Sequence, residues 1–345
     1  MAGPTARLRS SFSVSNCPRR RSSSAQGKSQ GEKPMSEVIL HHYQLSPYSE
    51  KTRLALGLKG QSWRSVEIPV WTPRPKLTPM TGGYRRTPIL QIGAEFYCDT
   101  LLILQVIEKL GGPTALYPNG QEGLAKVFGW WIEKGSFLNA VCLTIGNMGG
   151  KIPQELVDER RPLFRVNLDP DVLLPKRAIY FQRLNAHLAW LAEVLADGRK
   201  FVLGNDPSAA DLSVYHPIWF ARQNGGPEIA KLIAFADIVD PWYARVAALG
   251  HGRHTDMTPD EAIEVARGHQ PSEPDSWSSE AQNVGIRRGD WVSVTPDDYG
   301  NPVHGNILAW TQDEIVIRHE DPSVGKVNLH FPRVGFDAAL VQKPA

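Results

Sequence analysis

From Val38 onward, apolar and polar positions fall into blocks that read as alternating strands and helices. Val38-Ile39-Leu40-His41-His42-Tyr43 has the length and content of a short buried strand. Ser46-Pro47-Tyr48-Ser49-Glu50 follows, with a favoured N-cap residue, a proline at the first helical position and an acid in the first turn. Leu54 and Leu58 then share one face of a helix that ends near Gly60. Trp63 to Ile68 alternates as a second strand. Pro69, Pro73, Pro75 and Pro79 make 69–86 an irregular loop. Thr87 to Ile92, the turn Gly93-Ala94 and Glu95-Phe96-Tyr97 predict a hairpin. Asp99 caps a helix with apolar Leu101, Leu104 and Ile107, stopped by Gly111-Gly112.

Strand, helix, strand, loop, hairpin, helix is the thioredoxin-type order. After Gly112 the pattern predicts helices and no strand for about 150 residues. Helices are expected at 121–145 and 175–197, the second with Leu184, Leu188, Leu191 and Leu195 on one face. Another starts at Ser208, and shorter ones lie near 227–249. Thr258-Pro259-Asp260-Glu261 is a capping box that opens a helix ending at Gly268. Residues 269–284, with Pro271, Pro274 and several serines, read as a linker. Strands return at Trp291–Val294, Ile307–Trp310, Glu314–Ile317 and Val327–Phe331, a spacing that suggests a small β-barrel. The expected organisation is a leader at 1–34, a thioredoxin-like α/β domain at 35–112, an all-helical domain at 118–268, the linker, and a β-barrel domain at 285–345.

A chain of 345 residues is too long for one ordinary core, which agrees with several domains. Apolar runs such as Leu101 to Leu104 are far short of a membrane span, so no membrane partner is expected. Three cysteines, Cys17, Cys98 and Cys142, suit a reducing compartment such as the cytoplasm, and no pair has metal-ligand spacing. The formal net charge of +2 hides a split. Residues 1–34 carry seven basic side chains and one acid, leaving the rest near −4. Nucleic acid is therefore not an expected partner. The Ser- and Arg-rich leader fits an organellar transit peptide, and it equally fits an extension ahead of Met35-Ser36-Glu37 that lacks the apolar content to fold.

Four segments in order resemble the glutathione transferase family. They are Leu45-Ser46-Pro47-Tyr48-Ser49-Glu50 at the first helix, Arg86-Thr87-Pro88-Ile89-Leu90 before the third strand, Tyr97-Cys98-Asp99-Thr100-Leu101 at the next helix, and Gly204-Asn205-Asp206-Pro207-Ser208-Ala209-Ala210-Asp211 in the helical half. The resemblance spans 38–268 and leaves out the leader and the terminal strands. It implies a thiol-activating enzyme that uses glutathione as co-substrate against a small electrophile, with a homodimer as the expected assembly.

The resemblance gives each segment a role, and each residue also has a plainer one. Thiolate is the nucleophile, and a hydroxyl at a helix N-terminus favours it; Ser46 sits there, where it serves equally as an N-cap. Ser49 and Tyr48 are the other hydroxyls of that turn. Thr87 would pair its backbone with the cysteinyl part of glutathione beside a cis Pro88, in place of an ordinary trans bond. Asp99 and Thr100 would bind the γ-glutamyl end, and Asp99 also caps its helix. Arg85 and Arg86 read as a solvated turn, with contact to a glutathione carboxylate as the alternative. Ser208 and Asp211 form a capping box with a folding role. His41 and His42 point to opposite faces of a strand and read as packing residues, and Cys98 as a small buried one. Ser at both 46 and 49 removes dithiol exchange. A second functional reading makes the fold a non-catalytic scaffold whose barrel recruits a partner through Trp291, Trp310 or Phe331, unless these form the barrel's own core.

Overall fold

The computed structural model describes residues 37–161, 166–232, 235–298 and 300–343. The leader at 1–34 lies outside the described residues. The first half runs β1 (Val38–His42), α1 (Pro47–Leu58), β2 (Ser62–Glu67), α2 (Thr78–Thr81), β3 (Ile89–Ile92), β4 (Glu95–Cys98) and α3 (Thr100–Lys109). β1 pairs parallel with β2 and antiparallel with β3, and β3 pairs antiparallel with β4. All five β1 residues are buried because both faces of the sheet are covered. His41 and His42 are part of that interior: His41 bonds Gln91 at 2.8 Å and His42 bonds Ser65 at 3.0 Å. Burial pulls them down to about 4 and about 3, so both are neutral.

The helical half contains α4 (Glu122–Gly135), α5 (Phe137–Met148), α6 (Gln154–Arg160), α7 (Pro170–Leu173), α8 (Arg177–Leu195), α9 (Ala209–Asn224), α10 (Gly226–Leu232), α11 (Ala236–Ala247) and α12 (Pro259–Arg267). Asp211 anchors it. One carboxylate oxygen accepts from Val202 N–H and Trp242 Nε1–H, and the other from Ser208. The capping box thus also satisfies donors buried in the core.

One expectation fails inside this half. β5 (Arg253–Asp256) pairs parallel with β2 and covers that edge of the sheet. Its four residues are all exposed, so no apolar alternation marks it in sequence. Close backbone approach brings it in. A Cβ on Gly57 would lie 2.0 Å from the Gly250 carbonyl oxygen, and Gly252 takes φ +70° against Gln61.

The terminal strands differ from expectation in how they pair. After α13 (Glu280–Asn283) come β6 (Trp291–Pro296), β7 (Val303–Trp310), β8 (Glu314–Asp321), β9 (Gly325–Pro332) and β10 (Phe336–Leu340). They form no closed barrel. β10 pairs with β6, while β9 pairs parallel with β4, with Phe96 opposite Leu329. The result is one open ten-stranded sheet in the order β10-β6-β7-β8-β9-β4-β3-β1-β2-β5. The physical reason is the β4 edge, which would otherwise present unpaired backbone groups. Ile39, Ile89 and Phe96 share a core with Trp310, Phe331 and Phe336 on one face of the sheet. On the other face, Leu40, Leu54 and Ile103 pack with the helical half.

A charged cluster locks the β4–β9 seam. His330 Nε2 lies 2.6 Å from Glu95 and Nδ1 3.1 Å from Glu314. Burial opposes the imidazolium, but the two carboxylates outweigh it and raise His330. Burial likewise opposes ionisation of Glu95 and Glu314, and His330 outweighs it and lowers both. A raised histidine stabilises the fold below its ordinary ~6.5 and loses that contribution as pH climbs through its folded value. The lowered carboxylates contribute above their ordinary ~4.3 and lose it as pH falls through their folded values. The seam is therefore strongest between those limits. His330→Gln is expected to cost about 2 kcal/mol near pH 6 and to flatten the decline in stability above neutrality. Urea unfolding across pH checks this, and an unchanged pH profile would remove the cluster from the account.

Candidate functional site

Three backbone features meet at one cavity of about 850 Å3 between the two halves. These are the start of α1, the turn before β3 and the start of α3. Ser46, Thr87, Pro88, Asp99 and Thr100 all line this cavity. Tyr48 lines it too, whereas Ser49 is fully buried with its hydroxyl lacking a hydrogen-bond partner.

Ser46 caps α1: its Oγ accepts from Ser49 N–H at 3.2 Å, and Pro47 occupies the first helical position. A hydroxyl has two lone pairs and one proton, so capping leaves the O–H as a donor at the cavity wall. The Thr87–Pro88 bond is cis. Arg74 orders the turn around it, donating to the carbonyls of Pro69, Val70 and Arg85 and to Thr87 Oγ1. The proline-rich loop is therefore pinned from within. Arg85 is buried and pairs with Glu159 at 2.7 Å. Arg86 lies 3.9 Å from Asp99 and pairs closely with Asp298. Neither arginine sits on a solvated turn, because each has a carboxylate brought in from a distant element.

Asp99 holds φ 71° and ψ 137°, a conformation that L side chains rarely adopt. Such strain, on the order of 1–3 kcal/mol, persists where surrounding structure enforces it and clusters at ligand sites. Asp99 Oδ1 accepts from Leu101 N–H at 2.9 Å. Burial, followed by the Glu133 carboxylate, raises Asp99 above its ordinary value. Beside it, the buried Lys51 donates to Thr100 Oγ1 at 3.2 Å and to Glu133 at 2.5 Å. Burial pushes Glu133 up, but Lys51 and His216 together outweigh it and bring Glu133 down to about 2. Cys98 points away into the core, where burial raises its thiol, so it is no nucleophile.

The rest of the wall comes from the helical half, which the family resemblance implies would build the second-substrate pocket, and from the terminal sheet, which sequence reading did not assign to the site. The helical half supplies an apolar surface, including Phe137, Leu138, Val141, Ile145 and Ile152. The terminal sheet supplies Asp297, Asp298, Gly335 and Phe336. Lys134 joins the two, donating to Asp297 at 3.2 Å and Asp298 at 2.8 Å. Lys51 and Glu133 carry no sequence signal, since a lone charged residue on a helix reads as solvated. Trp310 and Phe331 are buried core residues of the sheet, while Trp291 is only partly buried. Among the described residues, no helix is long and apolar enough to cross a membrane.

Comparison with known proteins agrees with this geometry. Residues 40–115 match the glutathione S-transferase N-terminal domain, and residues 158–248 match the glutathione S-transferase C-terminal domain. A GST-like protein from Pseudomonas syringae is 35% identical, and the alignment covers 89% of this chain and 100% of that one with a TM-score of 0.69. Poplar glutathione transferase F1 is 13% identical over 68% of this chain and 100% of that one, with a TM-score of 0.46. A beta-etherase from Sphingobium is 17% identical over 61% and 95%, also with a TM-score of 0.46. Comparison with curated protein sequences finds no match. With both halves matched in order and a relative at this identity covering 89% of the chain, the chain belongs to the glutathione S-transferase family.

Proposed function

We propose that this protein is a glutathione transferase that activates the glutathione thiol for attack on a small electrophile. The observation that carries the reading is the convergence of Ser46, the Thr87–Pro88 turn and the Asp99–Thr100 helix start on one cavity with an apolar far wall. A free thiol titrates near ~8.5, so at neutral pH little of it is thiolate. The Ser46 O–H and the positive end of α1 both stabilise the anion, and the thiol proton leaves to solvent. The thiolate then forms a carbon–sulfur bond, and the electrons it displaces leave with the departing group or are protonated. The Thr87 backbone holds the cysteinyl portion as an added strand would. Thr100 and the start of α3 take the γ-glutamyl carboxylate, and Asp99 takes its ammonium.

The scaffold reading has less to support it. Two of the three aromatic residues assigned to partner recruitment are core, and the turns of the terminal strands line the cavity.

Asp99→Asn keeps the cap and tolerates the positive φ but removes the charge. It is expected to weaken glutathione binding about tenfold or more, the worth of a charge-assisted hydrogen bond. Thermal stability should hold or rise, because repulsion between Asp99 and Glu133 is relieved. Calorimetry on both proteins checks this, and equal affinities would take Asp99 out of the γ-glutamyl site. If the unmodified protein fails to bind glutathione at all, the scaffold reading takes its place.

A further inference from the structure

Charge is unevenly spread along the cavity wall. Among the described residues, four carboxylates line it, and each has a cation at hand. Glu133 pairs with Lys51, Asp99 lies near Arg86, and Asp297 and Asp298 both meet Lys134. A different stretch of the wall carries cations alone. There Lys151, in the turn after α5, and Arg160, at the end of α6, line the cavity with the apolar Ile152 and Leu156 between them in sequence. Leu156 and Arg160 are four apart on α6 and share one of its faces.

Neither cation is neutralised in the way that those near Asp99 are. Lys151 is exposed, and its ammonium has no hydrogen-bond or ion-pair partner among the described residues. Arg160 is partly buried. Its Nη2 donates to the Tyr43 hydroxyl at 3.4 Å and to the Val70 carbonyl at 3.3 Å, and its Nε lies 3.4 Å from Glu159. These contacts are long for hydrogen bonds to nitrogen, and Nη1 has no partner among the described residues. The acids of α6 do not line the cavity: Glu155 and Asp158 are exposed, and Glu159 is already held by Arg85 at 2.7 Å. A guanidinium with an open N–H edge beside an ammonium is a receptor for an anion.

We propose that the electrophile is an amphipathic anion, with an apolar body on Phe137, Val141 and Ile145 and a carboxylate or similar group held by Arg160 and Lys151. The planar fork of Arg160 sets the direction of the anion, and Lys151 adds a flexible point charge. Asp297 and Asp298 repel the same group from the other stretch of wall, so one orientation is favoured. Arg160 and Lys151 are thus specificity-determining residues for the second substrate. This inference rests on the glutathione reading and adds a charge requirement to it.

The test is calorimetry on the full chain with glutathione and with glutathione thioethers, which stand in for the product and need no turnover. Two acid–amide pairs are compared: S-(4-carboxybenzyl)- with S-(4-carbamoylbenzyl)glutathione, and S-(6-carboxyhexyl)- with S-(6-carbamoylhexyl)glutathione. The pairs differ in reach, and within each pair only the charge changes. The unmodified protein is expected to bind the acid of at least one pair about tenfold more tightly than its amide. Lys151→Gln, which gives up no side-chain contact among the described residues, should shrink that preference. Lys151→Gln combined with Arg160→Gln should erase it, while glutathione and the amides bind as before. Equal affinity for acid and amide in both pairs, or a preference that survives the double variant, would overturn the proposal and leave the glutathione reading standing. A loss shared equally by glutathione, acids and amides would assign the two cations to the peptide and would also overturn it. Failure of the unmodified protein to bind glutathione would overturn the reading beneath it.

Discussion

Replacing Ser46 with alanine is expected to slow turnover by about 10²-fold at saturating glutathione while leaving the peptide bound, the size of effect seen when one preorganised donor to a developing or resident anion is removed. The expectation follows from the geometry of one hydroxyl. Its oxygen is committed to Ser49 N–H as the α1 cap, and its proton is the part left for the sulfur. Alanine removes both, so the fold should lose about 1 kcal/mol and the bound thiol should lose its acidity. The two effects are separable. Steady-state kinetics at several glutathione concentrations reads the lost acidity, with kcat falling and KM nearly constant, and thermal unfolding reads the lost cap. Ser46→Thr retains the hydroxyl and should recover most of the rate. Unchanged kcat in Ser46→Ala, with only the stability loss, would leave Ser46 as a helix cap and nothing more.

The larger effect on folding comes from the other end of the chain. A protein ending at residue 284 is expected not to fold cooperatively. It would lose β6 to β10 and expose the β4 edge together with Ile39, Tyr84, Ile89 and Phe96. Tyr84 alone packs against Phe331 and Phe336 at ring separations of 5.7 and 6.3 Å. Each large apolar side chain returned to water costs about 1.5–3 kcal/mol, and a handful of them consumes a typical net stability of ~5–15 kcal/mol. The bare edge would also template association between chains. Circular dichroism and sedimentation of residues 35–284 check this. A soluble protein with a cooperative transition near that of the full chain would show the terminal strands to be an accessory.

Much of the site was legible in sequence because its parts announce themselves locally. Ser46-Pro47 is a capping signal, Thr87-Pro88 marks a strand start, and Asp99 opens a helix; the structure brings all three to one cavity. Long-range partners were not legible. Lys51 meets Glu133 across 82 positions and Arg86 meets Asp298 across 212, and no periodicity encodes such pairings. The terminal strands were visible from their alternation, which specifies the buried face of a strand but not its neighbour. That is why an expected barrel is instead an open continuation of the first sheet. β5 and β10 were missed for a related reason: Arg253–Asp256 has no buried residue and Phe336–Leu340 has one. Backbone pairing, with little side-chain burial, holds these strands in place.

The account depends most directly on the ionisation of glutathione inside the cavity. Ultraviolet absorbance of the thiolate, followed across pH with protein in excess of glutathione, measures it. The account predicts that the bound thiol titrates at least one unit below the free value of ~8.5, and that Ser46→Ala moves it back toward that value. A bound thiol that titrates like free glutathione would contradict it.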